Sequence, residues 1–287
     1  MITDCHIHIQ PPEMFRPEVR LKMAATPEEF ARIAELAASP ATLLRHLDEI
    51  GVERAVLIGC VAPEVMGTGP EINPWLANYV KADPQRLLMC GSVNPRHSQN
   101  VEHDLRDVLA MGARMIKIHP PHQLFAANDY ASDYANGADG LGGLATIYRI
   151  CEAEGIPVMV HTGTSIFAGA RNRFADPMPL DDVAVDFPQL KLIMAHGGRP
   201  LYMDTAFFLL RRHSNLYFDI SSIPPKKLLE YFPRLEEIAH KSLFGSDWAG
   251  PGIRGIGQNL DDFRALPLSE AAQQRILSGT ALEIWPQ

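Results

Sequence analysis

Two histidines near the start of the chain have the spacing of a metal-binding pair. His6 and His8 lie in Ile2–Ile9, which is typical of a β-strand. Side chains at i and i+2 of a strand share a face, with Cα atoms roughly 6.5–7 Å apart, so both imidazoles can reach one ion. Asp4 lies on the same face, one pleat deeper, and we expect it to support the site without binding the ion. The alternative is an ordinary half-buried strand whose histidines face water.

The rest of the chain predicts regular alternation of strands and helices. Ser39-Pro40 is typical of a helix start, and Gly51 of a helix end. The predicted strands are Ile2–Ile9, Val52–Cys60, Arg86–Val93, Ala113–His119, Ile156–His161, Leu190–His196, Asn215–Ile220 and Lys241–Asp247. The other predicted helices lie near Pro27–Ala38, Asn73–Ala82, Asn100–Met111, Gly143–Glu154, Leu180–Phe187, Leu201–Arg212, Lys226–His240, Leu260–Leu266 and Ser269–Leu277. The pattern predicts an α/β fold, a single (β/α)8 TIM barrel spanning residues 1–287 as one domain.

Three long segments interrupt this alternation, at residues 10–39, 120–140 and 162–179. Loops of this length in a compact domain are commonly functional. We expect them to carry the substrate specificity.

Polar side chains occupy the carboxyl ends of five predicted strands, where strands buried on both faces should be apolar. A single histidine at the end of one buried strand is more often a hydrogen-bonded core residue than a metal ligand. Barrels build their active sites at this end, so five such strands together predict one metal site there. Imidazoles with a carboxylate suit Zn²⁺, with Mn²⁺, Co²⁺ and Fe²⁺ as alternatives, and an open coordination position would activate water. The residues are His6, His8, Lys117, His119, His161, His196 and Asp247.

Four motifs resemble those of the amidohydrolase superfamily: D-x-H-x-H on strand one, V-H-T on strand five, A-H-G-G on strand six and G-S-D-W on strand eight. The chain is most similar to the amidohydrolase-related group, which includes aminocarboxymuconate semialdehyde decarboxylase and many hydrolases. The resemblance covers essentially the whole chain, although Thr280 stands where the family usually has Asn.

The resemblance implies that His6, His8, His161 and Asp247 bind the ion. It also implies that Asp247 exchanges a proton with the activated water. His196 would polarise the substrate or act as an acid or base.

Lys117 leaves two site types open, because in dinuclear superfamily members a carboxylated strand-four lysine bridges two ions. The string Lys117-Ile118-His119-Pro120 resembles the mononuclear group, which favours one ion. Lys117 would then be a cation that pairs with Asp247 or with a substrate anion. His119 either faces the same pocket or supports it by hydrogen bonding.

Two arginines on the predicted active-site side are candidates for substrate binding. Arg173 follows strand five and Arg199 follows strand six. Either guanidinium could bind a substrate carboxylate in bidentate fashion, or could instead tie down its loop. Lys117, His119, Arg173 and Arg199 are therefore the predicted substrate-binding residues.

Three functions are compatible with these residues. The first is a metal-dependent hydrolase acting on a small, carboxylated amide, ester or lactone. The second is a non-oxidative decarboxylase of an aromatic or unsaturated carboxylic acid. The third is a non-catalytic metal-binding barrel, which would leave no coordination position open and would give His196 no role.

Composition excludes some partners and favours others. The formal net charge is -8 over 287 residues, without a basic run, which argues against nucleic acid. No apolar run approaches membrane-spanning length, and no secretory signal is visible, so we expect a cytoplasmic protein with a small-molecule substrate. The apolar stretch 206–210 could form a homodimer interface or face the barrel. Four isolated cysteines predict reduced core thiols: Cys5, Cys60, Cys90 and Cys151.

Overall fold

The computed structural model describes residues 1–131 and 141–286. Eight parallel strands form one sheet in which each strand pairs with the next along the chain. This order, with helices between the strands, confirms the predicted (β/α)8 barrel. The strands are β1 Thr3–His8, β2 Arg54–Ile58, β3 Leu87–Gly91, β4 Ala113–Ile118, β5 Val158–His161, β6 Leu192–Ala195, β7 Leu216–Asp219 and β8 Ser242–Leu243.

The barrel closes through the segment that follows β8. Cys5 N donates to Phe244 O at 2.9 Å, and Asp247 N donates to His6 O at 2.8 Å. The prediction that strand eight runs to Asp247 is therefore wrong, since the strand ends at Leu243. The chain leaves the extended conformation as it crosses to β1, and Asp247 itself has a left-handed φ of 61°.

The helices surround the sheet and alternate with its strands. Their bounds are α1 Pro17–Met23, α2 Pro27–Ala38, α3 Pro40–Ile50, α4 Ile72–Val80, α5 Val101–Ala110, α6 Pro120–Gln123, α7 Gly142–Glu154, α8 Pro179–Asp186, α9 Met203–Arg212, α10 Pro225–Tyr231, α11 Ile256–Arg264, α12 Glu270–Gln274 and α13 Thr280–Ile284. Between α12 and α13 the chain forms a π-helical turn, Arg275–Gly279.

The start and end of α3 confirm the signals read from the sequence. The Ser39 hydroxyl accepts a hydrogen bond from Thr42 N at 3.2 Å, which satisfies an amide that the first turn leaves free. Gly51 ends the helix with φ 71°, a conformation that glycine adopts without strain.

Three predicted segments are corrected. The helix expected at 226–240 is divided, because Pro233 lacks an amide hydrogen and disfavours helical geometry at Phe232 (φ -129°, ψ 71°). The chain continues as a 3₁₀ helix at Leu235–Lys241. Segments 10–39 and 120–140 contain helices α1 and α6, which were expected to be loop; residues 132–140 lie outside the described residues.

An apolar core fills the barrel interior at the end opposite the polar residues. It includes Cys5, Val56, Met115 and Met159. Trp285 joins it, and its Nε1 donates to Arg114 O at the start of β4 at 3.0 Å. The barrel is therefore plugged at the amino ends of its strands and left polar at the carboxyl ends. The four cysteines are buried, free thiols.

The apolar stretch 206–210 on α9 faces mainly the barrel, because Ala206, Leu209 and Leu210 are buried. Phe208 is 53% exposed. A homodimer stays a prediction. Across residues 1–131 and 141–286, no helix is both long and apolar enough to cross a membrane.

Candidate active site

Three predicted metal ligands meet where β1 is joined to the segment after β8. His6 Nε2 lies 3.2 Å from His8 Nε2 and 3.2 Å from Asp247 Oδ1. His8 Nε2 lies 3.4 Å from the same carboxylate oxygen. Ligands bound tetrahedrally at about 2.0–2.1 Å stand roughly 3.3 Å apart, so the three atoms fit one face of such a site. These residues can hold a divalent ion.

Asp219, at the end of β7, lies against the His6 ring. Its Oδ2 is 2.6 Å from His6 Nδ1 and accepts a hydrogen bond from it, while His6 Nε2 lies near His8 and Asp247. Asp219 was not among the predicted site residues. The signal was available, because Asp219 is an acidic residue at the carboxyl end of an otherwise apolar strand.

The electrostatics keep this donor set in its metal-binding form. Burial lowers the pKa of His6, which favours the neutral imidazole. Burial alone would raise the pKa of Asp247, but the adjoining imidazoles, His6 and His196 foremost, outweigh it and hold that pKa well below its usual value. Neutral imidazoles beside an ionised carboxylate are the protonation states that a divalent ion requires.

Asp4 supports the main chain beneath this group. Its Oδ1 accepts from His6 N and from Ser246 N, each at 3.0 Å. It therefore links the strand that carries His6 to the segment that carries Asp247. Burial raises the pKa of Asp4 to about 7.

His196 follows β6 with a left-handed φ of 68°. Its Nδ1 lies 2.8 Å from Ser221 O, so Nδ1 carries a proton and donates to that carbonyl. The ring centroid lies 5.0 Å from that of His6. Burial lowers the pKa of His196 well below its usual value, so the ring is neutral and Nε2 keeps its lone pair. Such a nitrogen can accept a proton during a reaction.

His161 lies at the end of β5, beside the three ligands but outside their compact group. Its Nε2 is 3.1 Å from Gly163 O. Its ring stacks on His119 at a centroid distance of 3.8 Å and lies 4.7 Å from His196. His161 as a fourth ligand stays a prediction.

A cavity of about 250 Å³ opens above these residues. One wall is a stack of imidazoles, in which His122 lies parallel to His119 with centroids 3.5 Å apart. His122 Nε2 is hydrogen-bonded to Ser165 Oγ, and the two atoms are 2.7 Å apart. His122 was not among the predicted site residues. The apolar part of the lining is Phe15, Met23, Met66, Ile166, Phe167 and Pro251.

Two of the four predicted substrate-binding residues, His119 and Arg199, line the cavity. The Arg199 guanidinium donates from Nε to Ser222 O at 2.9 Å and from Nη1 to Thr164 O at 3.1 Å. It therefore ties together the loops that follow β5 and β7, while remaining beside the cavity.

The structure places Lys117 and Arg173 outside the cavity lining that the described residues form. Lys117 is fully buried within the barrel, and its Nζ contacts Met159 Sδ at 3.4 Å. Burial lowers its pKa. Arg173 is exposed, with its guanidinium carbon 4.6 Å from the centre of the Phe174 ring. A substrate contact by either residue stays a prediction.

Solved structures similar to this one belong to enzymes with different reactions. A probable 2-pyrone-4,6-dicarboxylic acid hydrolase from Acinetobacter baumannii is 17% identical, with a TM-score of 0.66 over 99% of this chain and 98% of that chain. 4-Oxalomesaconate hydratase from Rhodopseudomonas palustris is 20% identical, with a TM-score of 0.66 over 100% of this chain and 96% of that chain. 5-Carboxyvanillate decarboxylase from Novosphingobium aromaticivorans, complexed with manganese, is 12% identical, with a TM-score of 0.67 over 99% of this chain and 95% of that chain.

Identities this low show a shared fold and not a shared reaction. No curated protein matches the sequence. The family is shown by a different comparison, in which the model of the amidohydrolase family matches residues 3–287. The chain belongs to the amidohydrolase family.

Proposed function

We propose that the protein is a metal-dependent hydrolase that acts on a small, carboxylated amide, ester or lactone. The observation that carries this proposal is the position of His196. Its ring lies 5.0 Å from that of His6, and its free Nε2 belongs to a neutral imidazole that lines the cavity. A proton acceptor is thus available next to a donor set that can hold an ion.

A divalent ion bound by His6, His8 and Asp247 would lower the pKa of water and polarise a carbonyl. Asp247 is ionised and can accept a proton from the attacking water. His196 can accept a proton at Nε2 and return it to the leaving group. Zn²⁺ is the first choice for a set of imidazoles and one carboxylate, and Mn²⁺ is the alternative.

The cavity supports a small substrate. Its volume of about 250 Å³ suits a compact molecule, and its walls combine apolar side chains with imidazoles that can bind polar groups. Arg199, which lies in the wall, offers a guanidinium to a carboxylate.

The second candidate is a non-oxidative decarboxylase. The stacked rings of His119 and His122, with Phe15 and Phe167 in the same lining, form flat surfaces that suit an aromatic or unsaturated acid. In this reaction the bond between the carboxylate and the ring carbon breaks, CO₂ leaves, and the electron pair stays on that carbon. The carbon then takes up one proton, which comes from water and which Asp247 or Nε2 of His196, both unprotonated at rest, would pass on to it.

The deciding experiment compares two substrate panels with the Zn²⁺- or Mn²⁺-loaded protein. Hydrolysis of carboxylated lactones, esters and amides is followed by acid release, and decarboxylation of hydroxybenzoates by CO₂ release. We expect turnover in the first panel. Turnover only in the second would replace the hydrolase with the decarboxylase, and none in either would favour a non-catalytic metal-binding barrel.

His196→Gln tests the residue that carries the proposal. The variant should keep its metal and lose at least about 100-fold in kcat, since general acid–base catalysis contributes about 10²–10⁴-fold. His97→Gln is the matched control, because that side chain is 45% exposed and pairs with Glu64. Full activity in His196→Gln would remove His196 from the mechanism.

A further inference from the structure

Behind the three ligands, four side chains form a buried hydrogen-bonded group. Ser221 Oγ lies 2.8 Å from Asp219 Oδ2, 3.0 Å from His6 Nδ1 and 3.1 Å from His196 Nδ1. All four residues are at most 1% exposed. The group therefore joins a proposed metal ligand to the proposed proton acceptor without access to bulk water.

The positions of the protons follow from the partners. His6 Nδ1 faces a carboxylate oxygen at 2.6 Å, and His196 Nδ1 faces the Ser221 carbonyl at 2.8 Å. Two acceptors cannot approach so closely, so each Nδ1 carries a proton. The single hydroxyl proton of Ser221 then has only Asp219 Oδ2 as its acceptor. Every proton is placed, and Nε2 stays free on both neutral rings.

Asp219 is the acceptor on which this arrangement converges. Its Oδ2 accepts from His6 Nδ1 and Ser221 Oγ, and its Oδ1 accepts from Ser221 N at 2.9 Å. All three of these partners are donors. We propose that Asp219 is a positioning residue that holds His6 in the tautomer whose Nε2 faces the ion. The proposed role of Asp219 concerns metal binding, and it rests on the proposed function only in that the bound ion would serve the proposed reaction.

The packing around Asp219 leaves little freedom for another arrangement. A Cβ on Gly245 would lie 2.7 Å from Asp219 Oδ1 and 2.8 Å from His6 Cβ. Both distances are shorter than side-chain carbons tolerate. The absence of a side chain at Gly245 therefore allows the carboxylate and the imidazole to lie together.

Asp219→Asn is the specific probe, because it keeps the shape and replaces one acceptor by a donor. If the amide nitrogen faces His6, Nδ1 must become an acceptor and the proton moves to Nε2, where it blocks the ligand atom. If the amide nitrogen faces Ser221 N, two donors oppose each other and one is left unsatisfied. In the second orientation the amide oxygen still accepts from His6 Nδ1, but the loss of the carboxylate charge makes Nε2 a weaker ligand. Either orientation therefore weakens metal binding.

Zn²⁺ affinity by chelator competition and ¹⁵N-histidine NMR test the proposal. Asp219→Asn should bind Zn²⁺ about 10–100-fold more weakly, the range typical for partners of metal ligands. The wild-type protein should show His6 protonated at Nδ1. Ser221→Ala is the matched comparison: it removes one donor but leaves the carboxylate on His6, so its Zn²⁺ affinity should fall less than about threefold.

Wild-type Zn²⁺ affinity in Asp219→Asn would overturn the proposal. So would a proton on His6 Nε2 in the wild-type protein, a measurement that remains decisive if the variant does not fold. Neither readout uses a substrate. An inactive enzyme with the expected affinities and tautomer would therefore contradict the proposed function and leave the role of Asp219 intact.

Discussion

The amide of Asp247 donates a hydrogen bond to the carbonyl of His6 at 2.8 Å, and the Asp247 carboxylate lies 3.2 Å from the His6 ring. This main-chain contact is one of those that close the barrel, and it brings a carboxylate from one end of the chain to an imidazole from the other. The donor set is therefore as rigid as the barrel closure itself, which favours a preorganised metal site.

His8→Ala should remove one ligand from this set. We expect Zn²⁺ affinity to fall by more than about 100-fold, beyond the range of about 10–100-fold seen when only a ligand's partner is lost. Metal analysis after dialysis would measure it. His97→Ala, at a half-exposed histidine outside the site, should keep its metal. Equal metal content in the two variants would contradict the assignment of His8.

Gly245→Ala tests the close packing behind the site. The added Cβ would contact Asp219 Oδ1, His6 Cβ and Ser221 Cβ at 2.7, 2.8 and 3.0 Å. We expect the free energy of unfolding to fall by about 1–3 kcal/mol, as for other overpacked interiors, and Zn²⁺ affinity to fall with it. Chemical denaturation and metal titration would measure the two effects.

Gly255→Ala is the control for this prediction, since a Cβ there meets nothing within 4 Å and its φ of 171° is ordinary extended backbone. Its stability should stay within about 0.5 kcal/mol of wild type. If the stability of Gly245→Ala also stayed within about 0.5 kcal/mol of wild type, the side chains around Gly245 would be shown to move and accommodate the added Cβ.

Lys117→Met separates the one-ion site from the two-ion site. Burial lowers the pKa of Lys117, whose Nζ contacts Met159 Sδ. Replacing this amine by an apolar side chain of similar length should stabilise the metal-free protein by about 1–3 kcal/mol, the cost of burying a poorly hydrogen-bonded polar group. The Zn²⁺ content should stay at one per chain. A fall from two ions to one would instead show that a carboxylated Lys117 bridges two metals.

Lys226→Met is the control for the stability change, because this lysine is exposed. The free energy of unfolding should change by no more than about 0.5 kcal/mol. Similar stabilisation in both variants would indicate that the change in net charge of the protein, and not the burial of Lys117, causes the increase in stability.

His122 should make stability depend on pH. Burial lowers the pKa of His122 to about 3, whereas the pKa of a histidine in an unfolded chain is about 6.5. Between these values the unfolded state binds the extra proton, so the free energy of unfolding falls as the pH falls. The contribution of this residue is at most about 1.4 kcal/mol per pH unit.

His122→Phe should remove this contribution while keeping a ring against His119. Urea denaturation of the metal-free protein at about pH 7 and about pH 5 would measure the slope. His97→Phe, which replaces an exposed ring, should keep the wild-type slope. An unchanged slope in His122→Phe would show that His122 does not resist protonation in the folded protein.

Much of the architecture could be predicted from local patterns. Ser39 and Gly51 bound α3 because capping depends on a few neighbouring residues. His6 and His8 share a face because a strand repeats every second residue. The division of the helix expected at 226–240 could also have been predicted, since Pro233 was visible.

Other features depended on which elements meet in space. Asp219 was an unremarked acidic residue until β7 brought it against His6, and Lys117 proved to lie outside the cavity lining of the described residues. The direction of a side chain at a strand end is set by contacts with other strands, which sequence spacing does not contain.

The sequence alone determined the alternation of strands and helices and the motif residues of the family, because periodicity and residue type are local properties. Only the tertiary structure decided the distances at which His8 and Asp247 meet His6, that His161 lies beside them against His119, and that Asp219 contacts the His6 ring. These relationships depend on barrel closure, which brings residues that are distant in the chain to distances of a few ångströms.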